Sequence, residues 1–182
     1  MVLPLKEVIN SENFDTEIYN YLINSIHNFE SPNGDIKNFL TNDAIDFEKR
    51  NISRTFLYYG EAGKLLGYFT LSMKNIINDS VPKNKIKKIS GFSSDSNSIV
   101  VFLIGQLGRN FALSEHSFGD TLINTALNCI YNAQNFIGGR YCLIETDNSL
   151  DNEKVIEFYQ NHGFSFLQEN KMNSCVQMVA KL

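Results

Sequence analysis

The sequence predicts an α/β protein, one mixed sheet flanked by helices, in a single domain over residues 1–182. Three observations carry that prediction. The run SIVVFLIGQLG at 98–108 is the most hydrophobic of the chain and rich in β-branched residues, as a strand buried on both faces requires. A helical pattern follows it, and then a second buried run, YCLIET at 141–146; strand, helix and strand imply a right-handed parallel crossover. Upstream, RTFLYYG (54–60) and LLGYFTLSM (65–73) flank the turn Glu61-Ala62-Gly63-Lys64, which predicts an antiparallel hairpin.

Residues 2–9 read as a short first strand. Residues 14–29 suit a helix, with Ile18, Tyr21, Leu22, Ser25 and Ile26 on one side. Pro32-Asn33-Gly34 breaks the chain. A second helix is expected over 35–49, where Ile36, Phe39, Leu40, Ala44 and Phe47 keep helical spacing and Asp35 can cap the start. After the hairpin, 78–98 is polar, with Pro82, Gly91 and several serines, and reads as a long loop carrying Lys83, Lys85, Lys87 and Lys88. Those lysines are either a solvated surface or a contact for an anionic substrate. The helix after the central strand buries Leu122, Ile123, Ala126, Leu127, Ile130 and Ala133, and Gly138-Gly139 ends it. Asp151-Asn152 opens a further helix, which Gly163 is placed to stop. Two short strands, FSFLQ and SCVQMVA, complete the order.

Composition narrows the function classes. Of 182 residues, 43% are hydrophobic and 20% charged, as in an ordinary globular protein. The net charge of −4 gives no whole-molecule pull toward nucleic acid or an anionic membrane, although a local basic patch remains compatible with it. Cys129, Cys142 and Cys175 lack metal-ligand spacing, and their odd number argues against a closed disulfide framework. The opening MVLPLKEVIN has no signal-peptide pattern, and no run approaches the ~20 apolar residues of a membrane helix. These features predict a cytoplasmic chain with no membrane association and no metal.

Two strings carry chemistry. After the central strand, Ser114-Glu115-His116-Ser117-Phe118-Gly119 leads into a helix. Backbone N–H groups converge at a helix N-terminus and the helix dipole favours an anion there, while small residues let the backbone approach a pyrophosphate. Ser117 and Gly119 meet that need; Glu115 does not. The same residues also suit an N-capped structural helix. The second string is N152-E-K-V-I-E-F-Y-Q-N-H-G-F164.

Together these strings resemble the GCN5-related N-acetyltransferases. Asn152, Val155, Phe158, Tyr159, Gly163 and Phe164 fill the places of that family's second motif, and Gly119 the last glycine of its first, with Ser117 and Ser114 departing from its pattern. The helix 35–50 and hairpin 51–73 have a looser likeness to a subgroup, the acetyltransferase toxins of bacterial toxin–antitoxin pairs, which acetylate the amino acid on charged tRNA. The resemblance implies a sheet whose parallel strands four and five splay apart to admit the pantetheine arm of acetyl-CoA. It implies that Leu107, Gly108 and Arg109 offer backbone groups to pantetheine. His116, Ser117, Phe118, Gly119 and Asp120 then meet the phosphates, and Asn152 and Phe158 line the cosubstrate.

By position alone Tyr159 reads as a packed helix tyrosine whose hydroxyl reaches solvent; the resemblance instead assigns it as donor to the departing thiolate. Asn152 either caps its helix or contacts the cosubstrate. Glu145, near the end of YCLIET, is either a general base or a strand-end carboxylate facing solvent. The partners so implied are acetyl-CoA and an amine, with a homodimer as a further arrangement. Two other readings stand beside the amine acetyltransferase: a toxin-like enzyme acting on aminoacyl-tRNA, and a non-catalytic acyl-CoA-binding regulatory module.

Overall fold

A computed structural model describes residues 1–10, 15–77, 81–91, 98–113, 118–147, 153–170 and 174–182. The strands are β1 (Val2–Pro4), β2 (Arg54–Tyr59), β3 (Leu65–Ile77), β4 (Ser98–Arg109), β5 (Tyr141–Asp147), β6 (Ser165–Asn170) and β7 (Cys175–Lys181). The helices are α1 (Leu5–Asn10), α2 (Thr16–His27), α3 (Gly34–Asn38), α4 (Ala44–Lys49), α5 (Lys83–Ser90), α6 (Gly119–Ile137) and α7 (Glu153–Asn161). The seven strands form one sheet in the order β1-β2-β3-β4-β5-β7-β6. β4 and β5 are parallel, joined by the helix α6 as the buried runs predict. β1 with β2, β2 with β3, β5 with β7 and β6 with β7 are antiparallel. The expected mixed α/β sheet is what the chain forms.

The chain divides into two compact units. The first comprises residues 1–72 and 106–127. Its core is Leu5, Val8, Leu22, Ile26, Phe29, Leu40, Leu57 and Tyr68 with their neighbours. Here the structure corrects two expectations. The first strand stops at Pro4, and Leu5–Asn10 is helical, because Leu5 and Val8 are buried three residues apart while Lys6 and Glu7 between them are exposed. Ile18 and Tyr21 are exposed rather than part of the buried stripe of α2, which is Leu22 and Ile26.

The expected helix 35–49 begins one residue early and is interrupted. Asn33, not Asp35, caps it, its Oδ1 accepting from the N–H of Asp35 (2.9 Å) and of Ile36 (3.4 Å). A π-helical turn, Phe39–Asp43, separates α3 from α4. At the end of α4, the buried Glu48 carboxylate accepts from Arg54 Nη1 and from the Thr55 N–H, both at 2.8 Å, and so fixes the entry to β2. Glu48→Ala would leave that N–H without its partner and should cost about 2–3 kcal/mol, read as a lower chemical-denaturation midpoint.

The second unit comprises residues 73–105 and 128–182. Ile76, Val81, Ile86, Ile89, Val101, Tyr141, Leu143, Leu167 and Val179 form its core. Its α5 corrects the predicted long loop. Ile86 and Ile89 sit three apart and buried, Pro82 precedes the first turn, and Gly91 ends the helix in the left-handed region at φ 82°, its N–H bonded to the Lys87 carbonyl (3.0 Å). All four lysines lie on the exposed side, with Lys85 Nζ donating to the Phe166 carbonyl (3.2 Å). No described helix is long and apolar enough to cross a membrane, and the described residues hold no metal-ligating cluster.

Candidate active site

In the first unit the candidate residues lie at the end of β4 and the start of α6. Leu107, Gly108 and Arg109 are the last residues of β4. A side chain is excluded at Gly108: a Cβ there would collide with Ile36 Cγ2 and come within 3.0 Å of Tyr68 Cε1 and 3.4 Å of Phe29 Cζ. Gly67 on β3 serves the same approach, since its Cβ would lie 2.7 Å from the Gly108 carbonyl oxygen and 3.2 Å from Leu122 Cδ2. Two glycines thus let the β4 backbone sit tight between helix and neighbouring strand.

That segment is tied at both ends. The Gln106 N–H donates to Thr70 Oγ1 (2.9 Å), and the Asn110 N–H and side-chain amide donate to the carbonyls of Leu66 (2.7 Å) and Leu65 (2.9 Å). The Arg109 guanidinium stands 4.1 Å over the Phe111 ring.

Phe118 directly precedes α6, whose first residues are Gly119 and Asp120. The Phe118 ring meets Tyr58 edge-on at 4.6 Å, beside a cavity of about 570 Å³ that Glu61, Leu66 and Thr121 also line. An acidic residue in the first turn, here Asp120, suits the helix dipole. Ser114, Glu115, His116 and Ser117 lie outside the described residues.

In the second unit lie Phe158, Tyr159 and Glu145; Asp151 and Asn152 fall outside the described residues. The string that suggested Tyr159 has a local physical reason. Gly163 adopts φ 83°, its N–H bonds the Gln160 carbonyl (3.0 Å), and the Phe164 N–H reaches back to the Tyr159 carbonyl (3.1 Å). This is a Schellman stop, and its apolar partner contact is Phe164 against Tyr159, edge-on at 6.0 Å. Phe158 packs at 5.4 Å from Tyr159 and 4.5 Å from His162, whose Nδ1 lies 2.8 Å from the Phe158 carbonyl. Tyr159 is therefore held in place by the helix stop. Burial pushes its phenol up to about 12, so the group stays protonated and is a hydrogen-bond donor through the neutral range.

Glu145 does not face solvent: it is half-buried and held by three side chains. Lys74 Nζ pairs with its Oε2, and its Oε1 accepts from Gln177 Nε2 (2.8 Å) and Asn170 Nδ2 (3.4 Å). Burial alone would raise this carboxyl, but the hydrogen bonds from Gln177 and Lys74, the Lys74 charge and the Asn170 contact outweigh it and hold it below the usual carboxylate range. A carboxylate so held is a weak proton acceptor for an ammonium. The same pairing stabilises the fold above the unfolded carboxyl's pKa, and that contribution is lost as pH falls through the lowered value. Sequence reasoning missed Lys74, Asn170 and Gln177, which no spacing rule connects to Glu145. It also missed Gly67, although a glycine inside the strand run LLGYFTL signals close backbone approach.

The parallel ladder between β4 and β5 covers only Phe102↔Cys142, Leu103↔Leu143 and Ile104↔Ile144. Both strands run on, β4 through Arg109 and β5 through Asp147, the latter still paired with β7.

No family model and no curated protein matches the sequence. Solved structures do. AtaT complexed with acetyl-methionyl-tRNAfMet is 21% identical over 97% of this chain and 92% of its own, with a TM-score of 0.67. A tyrosine-to-phenylalanine mutant of the AtaT toxin, bound to the C-terminus of the antitoxin AtaR and acetyl-CoA, is 18% identical over 100% and 92%, with a TM-score of 0.68. A tyrosine-to-phenylalanine mutant of KacT is 21% identical over 86% of both chains, with a TM-score of 0.67. This chain has the fold of those proteins.

Proposed function

We propose that this chain is a single-domain, cytoplasmic, acetyl-CoA-dependent N-acetyltransferase whose acceptor is the α-amine of an aminoacyl-tRNA. The observation that carries the reading is Tyr159, a phenol pinned by the Schellman stop at Gly163 and kept protonated by burial. Likeness to a toxin solved with acetyl-methionyl-tRNAfMet favours the tRNA-borne amine over a free one, and likeness to one bound to an antitoxin peptide adds such a peptide as a partner.

In this reading Leu107, Gly108 and Arg109 pair through their backbone with pantetheine. His116, Ser117, Phe118, Gly119 and Asp120 surround the phosphates, and Asn152 and Phe158 complete the cosubstrate contacts. The neutral amine nitrogen attacks the thioester carbon, and a β4 N–H stabilises the tetrahedral oxyanion. Collapse breaks the C–S bond while an N–C bond has formed. The thiolate takes up the proton that the nitrogen loses, giving an N-acetyl amine and free coenzyme A. Tyr159 sits above a thiol's reference pKa of ~8.5, so it shares its proton with the thiolate as a hydrogen bond and keeps it.

The test is calorimetric titration with acetyl-CoA, then thiol release with aminoacyl-tRNA against a panel of free amines. Acetyl-CoA binding without thiol release on any acceptor would favour the non-catalytic module and sink the enzyme. The exposed lysines of α5 supply the phosphate contacts in this reading. Replacing Lys83, Lys85, Lys87 and Lys88 by glutamine should leave acetyl-CoA affinity unchanged, weaken tRNA binding and flatten its salt dependence. Equal loss of acetyl-CoA affinity would remove the lysines from that role.

A further inference from the structure

Glu145 occupies a particular place on β5: it is the first residue after the last parallel pair, Ile104↔Ile144. On β4 the residue after that pair is Gly105, which has no side chain. In the sheet order β3-β4-β5, Lys74 of β3 therefore reaches Glu145 of β5 across β4.

The contacts continue as a relay of fixed polarity. Gln177, 3% exposed, donates its amide to Glu145 and accepts at Oε1 from Gln168 Nε2 (2.8 Å); Gln168, 5% exposed, also donates to the Ile77 carbonyl (3.0 Å). A carboxylate at one end and a carbonyl at the other only accept, so neither amide can be turned round. The relay ends at Gln168 Oε1, buried without a hydrogen-bond partner. A buried polar relay that ends in an unpartnered oxygen is costly to desolvate.

We propose that Lys74 is a positioning residue, which orients and charge-balances the Glu145 carboxylate so that Glu145 accepts an N–H of the acceptor amine and turns the nitrogen lone pair toward the thioester. This rests on the acetyltransferase reading above. The acceptor N–H replaces the weakest of the existing contacts, Asn170 Nδ2 at 3.4 Å. Among the described residues, the groups facing the carboxylate are Lys74 from β3, Asn170 from β6, and Gln177 and Cys175 from β7, and Lys74 is the one cation. Removing it leaves a half-buried carboxylate held, among the described residues, only by neutral donors, so burial pushes its ionisation up from where Lys74 holds it.

The experiment compares wild type, Lys74→Met and Lys74→Arg. Acetyl-CoA affinity of each reports folding, because neither Lys74 nor Glu145 is placed among the cosubstrate's contacts. In Lys74→Met the acid limb of the kcat/KM profile should move up by about one pH unit or more and steepen, with kcat/KM at pH 6 down about 10-fold; Lys74→Arg should restore the wild-type limb. A Lys74→Met profile superimposable on wild type overturns the proposal, as does a Lys74→Arg variant as defective as Lys74→Met. The Glu145 titration, followed by carboxyl carbon-13 resonance without substrate, should rise in Lys74→Met. An unchanged titration would overturn the Lys74 coupling even if wild type acetylated no amine, an outcome that would itself overturn the enzyme reading.

Discussion

Tyr159→Phe should lower kcat for acetyl transfer by about 100-fold and leave acetyl-CoA affinity and the melting temperature close to wild type. The substitution keeps the ring, so the edge-on contact with Phe164 and the Schellman bonds that end α7 survive. Only the donor is lost. The expected size sits at the low end of general-acid effects, because a thiolate is already a fair leaving group and the phenol lends a hydrogen bond without giving up its proton. An interaction made mainly in the transition state lowers kcat and kcat/KM together. The position of the phenol's ionisation adds a second signature. A phenol at its ordinary value near 10 would impose a falling limb there; with Tyr159 at about 12, wild-type activity should show no such limb up to pH 10. Unchanged kcat in an assay limited by chemistry would remove Tyr159 from the reaction and leave it as packing for the helix stop.

What could be read from residue order alone follows a physical divide. Signals that act within one turn of chain were legible: Gly163 as a helix stop, the hairpin around Glu61–Lys64, the buried β-branched runs that became β4 and β5. Even the string around Tyr159 is local, since its glycine and flanking aromatics are the parts of one Schellman motif. Pro82 and Gly91 were equally local, but among serines and lysines they looked like loop punctuation. They are the start and stop of a helix whose register only Ile86 and Ile89 declare. Leu5 and Val8 hid α1 in the same way, in a run short enough to pass for a strand. The Glu145 site was not legible because its partners arrive through the sheet order, Lys74 from 71 residues away and Gln177 from 32. Alternation along β5 and β7 shows that Glu145 and Gln177 share a face only once their register is known.

Gly67→Ala should weaken acetyl-CoA binding by about 10-fold or more and cost about 1–3 kcal/mol of stability. The added methyl would lie 2.7 Å from the Gly108 carbonyl oxygen, a backbone atom with no rotamer to change. Relief must come from moving β3 or the end of β4. β3 is poorly placed to yield, because Thr70, Leu66 and Leu65 bind Gln106 and Asn110 on either side of the collision. The far side of β4 is closed as well: Ile36, Tyr68 and Phe29 already fill the space a Gly108 side chain would need. The backbone of Leu107–Arg109 therefore shifts, and that is the segment proposed to pair with pantetheine. Gly34→Ala supplies the control, since a methyl there meets nothing within 4 Å and should lower neither affinity nor stability. Both variants are measured by calorimetric acetyl-CoA titration and chemical denaturation. A Gly67→Ala protein that loses stability but binds acetyl-CoA as tightly as wild type would show that the end of β4 does not hold the cosubstrate.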